Sequence, residues 1–223
     1  GAVSVGSAAV KLLDERTDLD DATALVVGAG EMGTIAARAL TDAGVKPGDT
    51  VAVLDWDTPR YLECFFAVPM IGAVLHTVNV RLSPEQMLYT INHAEDKAIL
   101  VNREFLSVVE EFSDRIETVD RFVLLDDGEG PEDTGLDMAG EYEALLDKAD
   151  PGFQFPELTE DTRATTFYTT GTTGLPKGVY FSHRQLVLHT LSGRNAMSGS
   201  GHGRFNQDDV YMPITPMFHV HAW

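Results

Sequence analysis

The sequence contains little cysteine and little positive charge. Cys64 is the one cysteine among 223 residues, which excludes an internal disulfide and favours a reducing, cytoplasmic compartment. The 35 acidic residues outnumber the 16 lysines and arginines, which gives a formal net charge of −19. Because nucleic acids and anionic membranes are bound through clustered positive charge, and no basic run is present, we expect neither as a partner.

Long hydrophobic runs are also missing. The longest apolar stretch, residues 64–75, is interrupted by Pro69 and Gly72, so it is too short to span a bilayer. No basic segment followed by an apolar core opens the chain, and we therefore expect no secretory signal. Hydrophobic residues make up 43% of the chain and charged residues 23%, which is typical of a folded domain rather than a disordered one.

The balance between residue types of the same charge gives a further hint. Aspartate is more frequent than glutamate, and arginine is more than twice as frequent as lysine. A surface rich in carboxylates is typical of proteins that work in concentrated salt, where screening weakens the repulsion between them. We therefore favour a halophilic protein over an ordinary acidic cytosolic one.

Strand-like and helix-like segments alternate along the chain. Apolar runs rich in β-branched residues predict strands at 23–27, 50–54, 98–101, 121–125 and 163–168. Helical patterns follow at 32–43, 59–70, 84–93 and 104–112. Thr58 before Pro59, and Ser83 with Pro84 and Gln86, are N-cap signals for two of these helices. The alternation predicts an α/β fold with a mainly parallel sheet covered by helices.

A glycine fingerprint follows the first predicted strand. Gly28, Gly30 and Gly33 fit the spacing G-x-G-x-x-G at the head of a helix, and Asp55 closes the next strand. Such glycines allow a pyrophosphate to approach the helix N-terminus, and an acidic residue at that distance binds a ribose. The pattern therefore favours descent from a dinucleotide-binding unit. The alternative is a glycine-rich turn that binds nothing.

A second loop, at residues 168–179, combines small residues with one lysine. Glycines let backbone N–H groups converge on an anion, threonine hydroxyls add donors, and the lysine adds a positive charge. The loop is not a Walker A motif, because Pro176 and Gly178 flank the lysine. A polar hairpin turn is the weaker alternative. The pattern predicts that this loop binds an anion through its glycines, its threonine hydroxyls and Lys177.

This loop resembles the phosphate-binding signature of the AMP-forming acyl-CoA synthetases, the adenylate-forming superfamily. Ser182-His183 and the run 216–220, Pro-Met-Phe-His-Val, match the next two landmarks of that family. The upstream sequence, from GVKPGD at residues 44–49 to residue 100, is similar to the N-terminal domain of that family. The resemblance spans about residues 37–223, and the medium- to long-chain fatty acid branch is the most similar.

The resemblance implies an activity and its ligands. Such enzymes use ATP to convert a fatty acid into an acyl-adenylate, and they then transfer the acyl group to coenzyme A. By resemblance, the β- and γ-phosphates would be bound by Thr169, Thr170, Gly171, Thr172, Thr173, Gly174 and Lys177. Thr169 would also be a ligand of Mg²⁺. His219 would lie beside the acyl-adenylate, and Trp223 would line the acyl tunnel. A homodimer is an option for the full-length parent.

A different resemblance covers the start of the chain. Residues 1–44 are similar to the beginning of the NADPH-binding domain of glutamyl-tRNA reductase, so the chain has the pattern of a chimera. The expected segments are a Rossmann-like β–α unit at 1–44, a synthetase subdomain at 45–156 and the start of the ATP-binding segment at 157–223, with a linker at 150–161. Only half of a dinucleotide site would be present, so we do not expect NADPH to bind.

Three functions stay open from the sequence. The favoured one is a fragment of a fatty acid–CoA ligase that is not active alone, because the family's later catalytic motifs lie outside these residues. The second is an NADP-binding module of an oxidoreductase. The third is a non-catalytic remnant that binds ATP weakly or not at all. Asp55 and Asp57 resemble a carboxylate pair, but in the ligase hypothesis they are structural and cap the helix that begins at Pro59.

Overall fold

The computed structural model describes residues 31–126, 134–150, 152–169, 174–198 and 214–219. Its strands are β1 (Thr50–Leu54), β2 (Val74–Thr77), β3 (Asp96–Asn102), β4 (Arg121–Leu125), β5 (Met138–Glu141), β6 (Arg163–Thr169) and β7 (Lys177–Ser182). Within these residues they form one sheet in the order β5-β4-β3-β1-β2-β6-β7. All neighbours run parallel except β6 and β7, which are antiparallel. The α/β prediction is confirmed.

Helices of very different lengths connect the strands. They are α1 (Glu31–Asp42), α2 (Pro59–Met70), α3 (Pro84–Ala94), α4 (Leu106–Glu110), α5 (Tyr142–Leu146) and α6 (His183–Ser198). Two short 3-10 turns lie at Arg103–Phe105 and Ser113–Arg115. Among the helices described, none combines the length and the apolar character that a bilayer crossing needs.

The two predicted N-caps are confirmed. The Thr58 hydroxyl accepts a hydrogen bond from the Tyr61 N–H, and Pro59 occupies the first turn of α2. Ser83 and Gln86 form a reciprocal capping box at the start of α3. Each cap satisfies N–H groups that have no partner inside the helix, which is why these helices begin where the sequence predicts.

The helix predicted at 104–112 is wrong in its extent. The Asn102 side chain accepts the N–H of Glu104 at 3.0 Å, which starts a 3-10 turn instead. The α-helix then lasts only from Leu106 to Glu110. Phe112 is fully buried and its N–H bonds to the Val109 carbonyl three residues back, so the last turn is tight. Burial of Phe112 therefore takes precedence over continued helical spacing.

Five elements were not predicted: β2, β5, β7, α5 and α6. Strand β2 is four residues long and lies in the apolar stretch that continues from α2, where periodicity alone does not separate a helix from a strand. The predicted linker does contain a segment, 152–160, without helix or strand. Strands on both sides of it, β2 and β6, are nevertheless neighbours in one sheet.

One hydrophobic core joins the described parts of all three predicted segments. Ala36, Ala37 and Leu40 of α1 are buried in the same cluster as the strands β1 and β3. Strand 23–27 and the segment before residue 31 lie outside the described residues. The part of the 1–44 segment that is described thus packs as an integral layer of the α/β unit.

Candidate functional site

The predicted phosphate-binding loop closes a β-hairpin. Thr169 is the last residue of β6 and Lys177 is the first residue of β7, and their Cα atoms are direct cross-strand partners. The Thr169 hydroxyl donates to the Lys177 carbonyl at 3.5 Å, a long and weak contact. Thr170, Gly171, Thr172 and Thr173 lie outside the described residues. The hairpin brings together the two ends of the predicted site.

Gly174 has a conformation that requires glycine. Its φ is +133°, and a Cβ built there would meet nothing within 4 Å. The residue is therefore needed for its backbone conformation and not for lack of space.

Lys177 is exposed, and among the residues that the structure describes it has no carboxylate partner. The sequence explains why: no aspartate or glutamate occurs from residue 162 to residue 207, although five basic residues do. This acid-free segment contrasts with the strongly acidic remainder, and the total charge hides it. An exposed cation without a carboxylate partner among the described residues favours anions.

The hairpin lies at the carboxyl edge of the parallel sheet. Thr169 ends β6, and Asp57 follows the end of β1, with β2 between the two strands. Two strand spacings amount to about 10 Å, so the segments that leave β1 and β6 at this edge are close neighbours. Ligands of open α/β sheets bind outside the carboxyl ends of the strands.

A distant segment, residues 214–219, also reaches this edge. The backbone N–H of Met217 donates to the Asp57 carboxylate at 2.6 Å. Met217 and Phe218 are buried in the core, and the Arg81 guanidinium lies 5.7 Å from the Phe218 ring centroid. Asp57 was predicted to cap α2, which is wrong, because Thr58 alone caps that helix and Asp57 holds a segment 160 residues away.

His219, predicted to lie beside the acyl-adenylate, follows these buried residues. It is exposed, and its N–H donates to the Pro216 carbonyl at 2.9 Å, which closes a tight turn. Trp223, predicted to line the acyl tunnel, lies outside the described residues. The structure thus brings the His219 turn to the same sheet edge as Thr169 and Lys177.

Asp55 is not available to a dinucleotide. Its side chain is fully buried and accepts the Thr58 hydroxyl, the Asn102 amide at 2.7 Å and the Trp56 N–H at 2.8 Å. Burial raises the pKa of this carboxyl above its ordinary value, while the three hydrogen bonds lower it. Gly28 and Gly30 lie outside the described residues, and Gly33 is buried in the first turn of α1. Asp55 therefore joins β1, β3 and α2.

The sequence pattern that defines the family described as AMP-binding enzyme matches residues 31–223. This chain belongs to the AMP-binding enzyme family. The match begins six residues before the start expected from the resemblance alone, and it includes all of α1. For the preceding resemblance to a glutamyl-tRNA reductase domain, the comparisons give no support.

Relatives of this AMP-binding chain are acyl-CoA ligases. It is 44% identical over 191 residues to 3-methylmercaptopropionyl-CoA ligase of Ruegeria pomeroyi, covering 82% of this chain and 33% of the relative. It is 47% identical over 180 residues to a long-chain-fatty-acid–CoA ligase of Thermus thermophilus, covering 81% and 31%. The chain therefore spans about a third of the length of these relatives.

Solved structures share the fold. A long-chain-fatty-acid–CoA ligase (FadD1) from Archaeoglobus fulgidus superposes with a TM-score of 0.72 at 21% identity, covering 85% of this chain and 35% of that one. ATP-bound MatB from Rhodopseudomonas palustris has a TM-score of 0.70 at 23% identity, covering 86% and 35%. At these identities the likeness establishes the fold of an adenylate-forming ligase.

A cleft of about 410 Å³ opens beside the predicted site of this AMP-binding chain. It lies between the β6–β7 hairpin and the amino ends of β1 and β2, and His93, Arg163, Tyr168 and Tyr180 contribute to its walls. Neither Thr169 nor Lys177 lines it. The cleft therefore adjoins the hairpin on the sheet face and is separate from the predicted phosphate contacts.

The contact between Asp57 and Met217 can be tested by substitution. We expect Asp57→Ala to accelerate hydrogen exchange of the Met217 amide about tenfold to hundredfold, because a hydrogen bond to a charged group is worth about 1.5–3 kcal/mol. Asp57→Asn keeps an acceptor oxygen and should retain most of the protection. Amide exchange followed by NMR measures both. Equal exchange rates in the two variants would contradict a tether at this carboxylate.

Proposed function

We propose that this chain forms the phosphate-binding part of an AMP-forming acid–CoA ligase. In that reaction a substrate carboxylate attacks the α-phosphorus of ATP, pyrophosphate leaves, and the acyl group passes from the adenylate to the thiol of coenzyme A. The parts of the relatives outside the shared third would supply the remaining groups. The oxidoreductase alternative is not favoured, because Asp55 is occupied by protein donors.

One observation supports the proposal most directly: the Thr169–Lys177 hairpin with its exposed lysine. Among the described residues Lys177 has no carboxylate partner, and it lies three residues after Gly174, whose φ is positive, at the carboxyl edge of the sheet. Lys177, Gly174 and the threonines between would bind the β- and γ-phosphates, which become the leaving pyrophosphate. Preorganised positive charge at that position stabilises the negative charge that develops on departure.

The donor chemistry at Thr169 fits Mg²⁺ as a companion of the nucleotide. Its hydroxyl is exposed, and a hydroxyl oxygen together with phosphate oxygens and waters is the ligand set that Mg²⁺ prefers. Within the described residues no three His, Cys, Asp or Glu side chains form a metal-binding group. We therefore propose that Mg²⁺ would enter with ATP, that the Thr169 hydroxyl would help to hold it, and that it would supply positive charge to offset that of the phosphates.

The proposed acyl substrate is an aliphatic carboxylic acid. The relatives named for 3-methylmercaptopropionyl-CoA, long-chain and medium-chain fatty acids are 44%, 47% and 38% identical, whereas one named for trans-cinnamate is 32% identical, and this order favours a flexible aliphatic chain over an aromatic ring. Coenzyme A as acceptor is proposed from the same names. The turn that bears His219 is held by Asp57 and Arg81 at the edge where such an acid would meet the nucleotide.

The resemblance of residues 1–44 to a reductase domain remains a separate hypothesis about ancestry. The family match begins at residue 31, so a join would lie before α1 and not inside it. The carboxylate expected to bind the ribose, that of Asp55, already accepts hydrogen bonds from protein donors. We therefore expect no measurable affinity for NADPH.

Competition between nucleotides tests the proposed function. If the hairpin binds phosphates alone, ATP, GTP and inorganic tripolyphosphate should compete about equally, in the high-micromolar to millimolar range. NADPH, which offers no terminal triphosphate, serves as the control and should not displace them. Isothermal titration calorimetry, with circular dichroism to verify folding, measures each affinity.

Two outcomes would contradict the proposal. A folded chain that binds neither ATP, GTP nor tripolyphosphate would exclude phosphate binding by the loop at residues 169–177. Binding of NADPH in the micromolar range would instead favour the oxidoreductase hypothesis. A marked preference for ATP over GTP would place base recognition within these residues and revise the division of contacts.

A further inference from the structure

Tyr168 is the residue directly before the predicted phosphate loop, and a second helix holds its side chain. Its hydroxyl lies 2.8 Å from Nδ1 of His93, near the end of α3. The two rings also meet edge to face, with centroids 5.7 Å apart. The residues are 75 positions apart in sequence, so this contact joins the hairpin to the helical layer.

A buried pair, His76 and Asp96, also lies beside the Tyr168 ring. The His76 ring on β2 lies 5.1 Å from it between centroids. Nδ1 of His76 is 2.7 Å from the Asp96 carboxylate at the start of β3, and both side chains are buried. Because Asp96 fixes the orientation of the His76 ring, the surface against which Tyr168 packs is rigid.

Gly178 on β7 is a third residue that lies against the Tyr168 ring. It is the direct cross-strand partner of Tyr168. A Cβ at this glycine would lie 3.2 Å from two ring carbons of Tyr168 and 3.3 Å from its hydroxyl oxygen. The tyrosine ring therefore lies flat against the β7 backbone, one residue from Lys177, and a side chain at position 178 would push it away.

The hairpin needs such a contact because of its place in the sheet. In the described sheet β7 is the edge strand and pairs with β6. A glycine-rich loop between these strands loses much conformational entropy when it is held in one shape. A site binds tightly only when the residues that support it fix its geometry beforehand.

We propose that Tyr168 and His93 are positioning residues for the phosphate loop. Their contact fixes the cross-strand pair Tyr168–Gly178. That pair in turn fixes the adjacent pair Thr169–Lys177, from which the loop extends. This inference rests on the proposed function of the loop. In this proposal neither Tyr168 nor His93 contacts the phosphate. They act by holding Thr169 and Lys177, the two ends of the loop, at the spacing of a cross-strand pair.

Hydrogen exchange measured without ligand tests whether the Tyr168–His93 contact holds the hairpin, independently of phosphate binding. Tyr168→Phe removes the hydroxyl and keeps the ring, and it should speed amide exchange in residues 165–180 about threefold to tenfold. Tyr180→Phe is the matched control, because Tyr180 lies on the neighbouring strand with a half-exposed side chain that stacks on Arg163. Unchanged exchange rates in Tyr168→Phe would contradict the proposed role of the Tyr168–His93 contact, whatever the loop binds.

Titration with tripolyphosphate tests the positioning role. Tyr168→Phe and His93→Leu should each weaken binding about threefold to tenfold, and the double variant should be no weaker than either, since both remove one contact. His93→Asn places an amide near the Nδ1 position and should restore affinity to within about twofold. Parent-like affinity in Tyr168→Phe, with faster exchange, would overturn the positioning role. If Lys177→Ala leaves the affinity for tripolyphosphate unchanged, the proposed function is wrong instead. Hydrogen exchange then remains the only test of the Tyr168–His93 contact.

Discussion

Lys177→Ala is expected to weaken the binding of tripolyphosphate about tenfold to hundredfold. The substitution removes a charge-assisted contact worth about 1.5–3 kcal/mol. No carboxylate within the described residues neutralises this ammonium group, so its full charge is available to an anion. Isothermal titration calorimetry of the folded variant measures the loss.

Two further variants separate charge at this position from charge in general. Lys177→Arg keeps the positive charge and should lose less affinity than Lys177→Ala. Lys148→Ala removes an exposed lysine beyond α5, near the opposite edge of the sheet, and should bind like the parent. If Lys148→Ala and Lys177→Ala weaken binding equally, the effect comes from net charge and the predicted cradle is wrong.

The second large effect concerns the stability of the buried pair His76 and Asp96. Asp96→Ala should lower the free energy of unfolding by about 1–3 kcal/mol, because it leaves a buried polar ring nitrogen without its partner. The two side chains are 1% and 0% exposed, and their nearest atoms are 2.7 Å apart. Urea unfolding followed by circular dichroism measures the change.

A double replacement distinguishes the pair from its surroundings. His76→Leu combined with Asp96→Leu removes both polar groups and fills the space, and replacing both partners of a buried hydrogen bond by apolar groups of similar shape can be nearly neutral or stabilising. We therefore expect the double variant to regain most of the stability lost in Asp96→Ala. A double variant that is less stable than the single one would show that the pair itself stabilises the fold.

The candidate site could be predicted from the sequence to the extent that it is local. The loop 169–177 is continuous in the chain, so its glycines, threonines and lysine indicate anion binding without any knowledge of the fold. Signals spread over a wider window were missed. The acid-free segment 162–207 is visible in the sequence, but the net charge of the whole chain averages it away.

Contacts between distant residues could not be predicted. Asp57 looks like a helix-capping residue because it stands next to Thr58, whereas its partner is the backbone of Met217. The partner of Tyr168 is His93 on a helix that no local pattern connects to the loop. Asp55 has the spacing of a ribose ligand, yet Asn102 and Thr58 occupy it.

The sequence by itself determined the fold class, the strands at 50–54 and 121–125 and the starts of two helices. These depend on neighbours within a few residues, where caps and apolar spacing act directly on the backbone. The tertiary structure alone decided the strand order, the shortened helix at Leu106–Glu110 and the partners of Asp55, Asp57 and Tyr168. Each of these depends on which segments lie side by side after the crossovers are made, and burial of side chains such as Phe112 then overrides local preference.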